Sequence, residues 1–213
     1  MTGAAAPPHV FHAAGFRHVR AALDAGAQKD LLTRIEGVIA SAPMFEPRMP
    51  RTGRPFSVRM TNCGVLGWVS DQALGYRYQA THPVTGKPWP PIPDELLALW
   101  DRFTGYRATP EACLVNWYGP GARMGSHRDA DEAALDAPVL SVSLGDTAVF
   151  HVGGPRRSDQ KARVELASGD VVVLGGESRL AYHGIDRVRN GSSDLIPGGG
   201  RISLTLRRVT IPA

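Results

Sequence analysis

Hydrophobic positions along the chain fall into two regimes that meet near residue 110. In the first, Leu31, Leu32, Ile35, Val38 and Ile39 recur at the spacing of one helical face, which predicts an amphipathic helix from about Ala25 to Ser41. A second helix is expected after Pro93, with Asp94 as N-cap, presenting Leu96, Leu97, Trp100 and Phe103 on one side and ending near Gly105. Between them, residues 42–55 hold four prolines with Arg48, Arg51 and Arg54 and read as a loop. The second regime consists of short β-rich runs punctuated by Gly, Pro and Asp: LVNWY, VLSVSL, AVFHV, RVEL, DVVVL, RLAYH and RISLTLR. Their number and spacing predict an antiparallel sandwich or barrel. In RISLTLR, Ile202, Leu204 and Leu206 point one way and Arg201, Ser203, Thr205 and Arg207 the other. An Arg at each end of that polar face suits a strand lining an anion site.

Composition narrows the class. A chain of 213 residues fits one compact domain with decorations. Two cysteines, Cys63 and Cys113, exclude a disulfide-dense secreted scaffold and a four-cysteine zinc module, and are expected to be buried thiols in a reducing cytosol. The N-terminal stretch MTGAAAPPHVFHAAG lacks a cationic start and a long apolar run, and no window reaches the roughly 20 apolar residues of a membrane span. The expectation is a soluble cytoplasmic protein. A net charge of +4 and a pI near 9.4, with only three lysines among 24 cations, invite a polyanionic partner, because the Arg fork pairs with phosphate or carboxylate. A GC-rich genome would give the same bias.

Polar residues supply the candidate chemistry. In His127-Arg128-Asp129 the spacing puts imidazole and carboxylate on one face of an extended strand, and His183 from a distant strand would complete a ligand set. Two His and one carboxylate, with positions left open, are the ligands of non-haem Fe(II) oxygenases. A strand histidine that merely hydrogen-bonds gives the same short pattern. A co-substrate with two carboxylates needs one end chelated through an oxo-acid and the other fixed by a buried Arg, which Arg207 can supply. Asn116 and Tyr118, on one face of LVNWY, offer an amide and a phenol to the same dianion. The alternatives are a structural strand arginine and core polar groups.

With these residues in place, the chain resembles the AlkB family of Fe(II)- and 2-oxoglutarate-dependent dioxygenases, which repair alkylated nucleobases, and is closest to its bacterial founding member. MTNCGVLGW from Met60, KPWPPIP from Lys87, NWYGPGARMGSHRDADE from Asn116, SVSLG from Ser141, GDVVVLGGESRLAYHGI from Gly169 and RISLTLR carry the resemblance, which runs from about Phe45 onward. It implies a mostly β fold, a double-stranded β-helix or jelly roll over residues 111–213, with an α+β extension over 1–110 forming a nucleotide-recognition lid, the two making one compact unit. It implies His127, Asp129 and His183 as catalytic iron ligands, and Asn116, Tyr118, Arg201, Ser203 and Arg207 as 2-oxoglutarate contacts. Trp68, Tyr76, Arg77, Tyr78, Asp131, Glu132 and Arg157 are the implied substrate contacts. Ser203 stands where the founding member has Asn, removing an amide, and Leu174 where it has Trp, altering a pocket wall. Ser141, Ser143, Gly175 and Gly176 are expected to serve packing and turns.

The implied activity is oxidative removal of the N-methyl group of 1-methyladenine or 3-methylcytosine as formaldehyde, with 2-oxoglutarate and O2 converted to succinate and CO2. A base must leave the stack to be reached, so single-stranded DNA, RNA, or duplex DNA with a flipped base are the expected partners, and aromatic contacts of about 1–3 kcal/mol each would grip it. Such methylation leaves the base cationic, and Asp131 and Glu132 could select for that charge. For Asp131 the alternative is capping a short helical turn, EAALD; for Glu132 the two readings stand level. Arg48, Arg51, Arg54 and Arg156 are expected to meet phosphates. No obligate protein partner is expected, and the chain reads as a monomer. Two other classes stay open: an oxygenase of the same fold acting on RNA, protein or a small molecule, which needs no aromatic lid, and a non-catalytic metal-binding jelly roll, which would have lost a ligand or Arg207.

Overall fold

The computed structural model describes the backbone of residues 10–13 and all of residues 16–212; most of the N-terminal stretch read above for an export signal lies outside the described residues. Helix α1 (Ala25–Ser41) starts on Asp24, whose carboxylate accepts from the Ala27 amide at 2.9 Å. Helix α2 (Asp94–Thr104) departs from expectation at its start: Pro93 occupies the cap position and Asp94 is the first helical residue. With φ near −54°, Pro93 is already shaped for the entry, and Asp94 and Glu95 act through the helix dipole instead. Gly105, at φ +62°, ends the helix. Among the described residues no helix is long and apolar enough to cross a membrane.

Strands β1 (Val10–Ala13), β2 (Phe16–Val19), β3 (Arg59–Gly64), β4 (Gly67–Asp71) and β5 (Gly75–Gln79) precede residue 110, where the periodicity marked only helices and loops and the family resemblance implied an α+β extension. After it come β6 (Ala112–Tyr118), β7 (Met124–His127), β8 (Val139–Gly145), β9 (Ala148–Val152), β10 (Ala162–Leu166), β11 (Val171–Leu174), β12 (His183–Val188) and β13 (Arg201–Arg207). RLAYH is not a strand. Gly176–Ser178 form a 3-10 turn, and the chain extends only from His183.

A seven-stranded sheet of order β1-β2-β11-β8-β13-β6-β3 and a four-stranded sheet of order β10-β9-β12-β7 make up the jelly roll, and β4 and β5 form a separate hairpin. Every pairing is antiparallel. The large sheet is covered on both faces. Ile202, Leu204, Leu206, Val115, Val142 and Val173 pack with Leu31, Ile35, Leu96 and Trp100 of the two helices. On the other face Phe16, Val172 and Leu174 meet Phe150, Val152 and Ile185 of the small sheet. The polar side of β13 therefore has one place to point, the space between the sheets.

Candidate metal centre and nucleotide pocket

His127 and His183 pair directly across β7 and β12, with ring centroids 4.5 Å apart. Strand β7 stops at His127, so Asp129 reaches the site from the following loop rather than from the same strand face. Its two oxygens lie 3.7 Å from Nε2 of His127 and 3.7 Å from Nε2 of His183. Each imidazole has its Nδ1 2.9 Å from the carbonyl two residues earlier, Gly125 for one and Ala181 for the other. Donation there leaves both Nε2 lone pairs facing the carboxylate, as a metal site requires. One ligand atom from each residue lies within 4.8 Å of the others, so the three could hold one ion. Burial acts to raise the Asp129 carboxyl, but Arg207, the two histidines and Arg179 outweigh it and hold it well below the usual carboxylate range. Burial pushes His183 down to about 4, leaving it neutral and free to ligate near neutral pH.

The two arginines of β13 differ in what they touch. Arg207 is ion-paired through its two terminal nitrogens: Nη2 lies 2.8 Å from Asp129 and Nη1 2.9 Å from Glu132, and Nη1 also donates to the Tyr78 hydroxyl, while Nε has no hydrogen-bond partner. Arg201 is 1% exposed and gives one nitrogen to Ser143 at 2.9 Å, while Nε and Nη1 have no hydrogen-bond partner. Tyr118 lies beside it, its ring centre 5.2 Å from the guanidinium carbon. A buried arginine with unused donors, on a cavity wall with Asn116, Tyr118 and Ser203, is a ready anion site. Ser141 and Ser143 do more than pack. Ser141 bonds the Ser203 hydroxyl at 3.0 Å, and Ser143 holds Arg201.

A cavity of about 820 Å³ joins this floor to the hairpin above it. Trp68 of β4 stacks on Tyr76 of β5 at 5.5 Å, and its Nε1 donates to Asp131 at 2.8 Å. The EAALD segment is not helical, so Asp131 caps nothing and its carboxylate is committed to Trp68. Asn62 bonds both the N–H and the C=O of Trp68 at the base of the hairpin. Arg77 lies on the opposite face of β5, bound to Asp71 and Gln79 and away from the cavity. Tyr78 and Glu132 do not line the cavity either. They are bonded to each other and to Arg207 beneath it. Arg157 is exposed at the mouth, its guanidinium over the Tyr182 ring. Arg156 is partnered with Asp159, and Arg48 closes its own loop on the Gly53 carbonyl. Arg51 and Arg54 stand exposed nearby.

Comparison with known proteins settles the family. The profile of the 2OG-Fe(II) oxygenase superfamily matches residues 15–207. An alpha-ketoglutarate-dependent dioxygenase AlkB homolog of Caulobacter vibrioides is 54% identical over 188 residues, 87% of this chain and 84% of the relative. The chain belongs to the AlkB family. A Mus musculus protein named nucleic acid dioxygenase ALKBH1 is 33% identical over 130 residues, 58% of this chain and 32% of its own. A structure titled "The structure of OsALKBH1" superposes with a TM-score of 0.78 at 28% identity, covering 95% of this chain and all of that one.

As an AlkB-family enzyme, the protein is an Fe(II)- and 2-oxoglutarate-dependent dioxygenase using O2, and the residues present fit that cofactor set. Ligand atoms of three residues face one another, and three unpartnered guanidinium nitrogens, two on Arg201 and one on Arg207, belong to residues of the same cavity wall. Leu174, the AlkB-pattern tryptophan position, lines the cavity as expected of a wall. Sequence reasoning passed over Arg179, which is 3% exposed and donates to the Asp129 carbonyl and to Glu132. It also passed over Phe56, packed edge-on to Trp68 at 6.3 Å. Neither lies in a segment whose periodicity marks it.

Proposed function

We propose that the enzyme oxidatively demethylates N-alkylated bases of the 1-methyladenine and 3-methylcytosine type in single-stranded DNA. The observation that carries this is the aromatic pair Trp68 and Tyr76, with Asp131 on the indole N–H, facing the His127-Asp129-His183 cluster across one cavity. Flat rings with an adjacent carboxylate suit a planar cation, which is what such methylation makes of a base. The mouse relative's name speaks of nucleic acid, in agreement. His127, Asp129 and His183 would hold the iron, which supplies the oxidising chemistry when bound with 2-oxoglutarate and O2. Arg201 would fix the distal carboxylate of 2-oxoglutarate through Nε and Nη1, with Asn116 and Tyr118 beside it. Arg207, read from the sequence as that anchor, pairs with Asp129 and Glu132 and keeps an unpartnered Nε while lining the same cavity, so it would both hold the metal ligand and add a donor for the co-substrate.

Arg157 at the mouth and Arg51 and Arg54 on the rim would meet phosphates, which position the strand without reading its sequence. Residues 1–110 supply the recognition side and 111–213 the chemistry. Because β2 and β3 are hydrogen-bonded into the large sheet, the two act as one unit. The reading includes a monomer in the cytoplasm, where two free buried cysteines stay reduced. The test is incubation of purified protein with Fe(II), 2-oxoglutarate and oligonucleotides carrying either methylated base, followed by base mass analysis. Loss of the methyl mass with matching formaldehyde is expected on single-stranded DNA. Consumption of 2-oxoglutarate with every methyl group retained would overturn the proposal, and preference for the RNA version would move the substrate class.

A further inference from the structure

We infer that Glu132 is a positioning residue for the metal ligand Asp129, and that Tyr78 ties the base-binding hairpin to the same buried network; this rests on the reading of Asp129 as an iron ligand. Asp129, Glu132, Arg179 and Arg207 lie together at 3–7% exposure. Arg207 is shared between the two carboxylates, one nitrogen on each, at 2.8 and 2.9 Å. Arg179 grips both residues as well, with Nη2 on the second oxygen of Glu132 at 3.1 Å and Nη1 on the backbone carbonyl of Asp129 at 2.6 Å. Each oxygen of Glu132 thus holds one guanidinium. Its side chain is fully buried and off the cavity wall, and its contacts are Arg179, Arg207 and Tyr78.

Two anions and two cations cancel. If the charge of Glu132 is removed, both guanidinia face Asp129 alone, and the site gains a net positive charge beside the position of a dication. Asp129 then becomes the better ion-pair partner and the poorer metal ligand. Tyr78 joins this network from the hairpin side: its hydroxyl donates to Glu132 and accepts from Arg207 at 3.1 Å. It stands opposite Trp68 in the β4–β5 register. A base that seats the hairpin therefore acts on the groups that hold Asp129, and linkage requires the effect to run equally in both directions.

The test measures Mn(II) affinity, by electron paramagnetic resonance, on the full chain and its Glu132→Gln and Tyr78→Phe variants, with melting of the metal-free proteins alongside. Glu132→Gln should weaken Mn(II) binding about tenfold or more, the range seen for partners of metal ligands. It should lower turnover on cationic and neutral lesions in equal proportion. A methylated oligonucleotide should tighten Mn(II) on the wild type and do so less on Tyr78→Phe. Unchanged affinity in Glu132→Gln, or loss confined to cationic lesions, overturns the assignment. If Glu132→Gln does not fold, Tyr78→Phe decides, since it leaves every charge in place: an unaltered oligonucleotide effect there overturns the coupling. Failure of the wild type to bind Mn(II) would overturn the metal-site reading itself.

Discussion

Arg201 and Arg207 close the two ends of one strand face, yet only Arg207 is ion-paired, so their removal should differ in its cost to stability. Arg207→Ala strands the Asp129 and Glu132 carboxylates without their shared cation, a loss of about 3–5 kcal/mol for a broken buried pair. At roughly 2–4 °C per kcal/mol for a chain of this size, the melting midpoint should fall by about 6–20 °C. Arg201→Ala breaks no ion pair, so its midpoint should fall less than that of Arg207→Ala, while the 2-oxoglutarate concentration needed for half-maximal turnover rises at least about tenfold. Equal melting of the two variants would contradict the distinction. The alternation in RISLTLR showed which side chains share a face. It could not show which of them the protein already neutralises, because the anions that occupy Arg207 come from the loop after β7. Asp131→Asn keeps an acceptor for the Trp68 N–H and removes the charge. Turnover on cationic lesions should drop relative to a neutral etheno adduct with melting unchanged, and a uniform drop would count against charge selection.

At the scale of elements, the hairpin β4–β5 depends on a side chain outside it. Asn62, buried in β3, satisfies both backbone groups of Trp68. Asn62→Ala leaves them unbonded, at about 1–3 kcal/mol for unsatisfied buried groups. The Michaelis constant for a methylated oligonucleotide should rise with little change in the 2-oxoglutarate requirement, and steady-state kinetics with each substrate varied would show whether the two separate. Helices α1 and α2 were legible because each buries a single stripe. Strand β3 was not: Met60, Thr61, Asn62 and Cys63 are buried on successive positions, so no alternation marks it as a strand. The late start of β12 escaped notice for a related reason, since RLAYH has the composition of a strand while Arg179 and Ser178 are spent on turn and network bonds.

For the whole molecule, the buried metal ligand sets an acid limit. His183 titrates near 4 in the folded protein against 6.5 when free, so between those values the unfolded chain binds a proton that the folded one refuses. Stability of the metal-free enzyme is therefore complete above about pH 6.5 and declines as pH falls toward 4, by about 3 kcal/mol over that span. Below it, the depressed carboxyls of Asp129 and Glu132 extend the loss. Denaturant melts from pH 7 to 4 should show this slope, and His183→Asn should flatten its upper part. The jelly roll and the iron triad could be read from the chain because strand runs and an HxD followed by a distant His survive as local patterns. The burial of His183, which fixes this pH response, comes from its place between the sheets and leaves no trace in any one segment.

The contact between Trp68 and Tyr76 has one more effect. Their ring centres lie 5.5 Å apart with 24° between the planes, a direct stack with no room for a base between the two rings. In the free enzyme the pair is its own occupant. On the proposed reading an incoming nucleobase would compete with an internal stack worth about 0.5–1.5 kcal/mol, and would win by bringing something the tyrosine lacks. An undamaged base brings another flat face. On the proposed reading a methylated one would also bring a positive charge to the carboxylate on the indole, and that charge would offset the cost of parting the stack, which an undamaged base would meet in full.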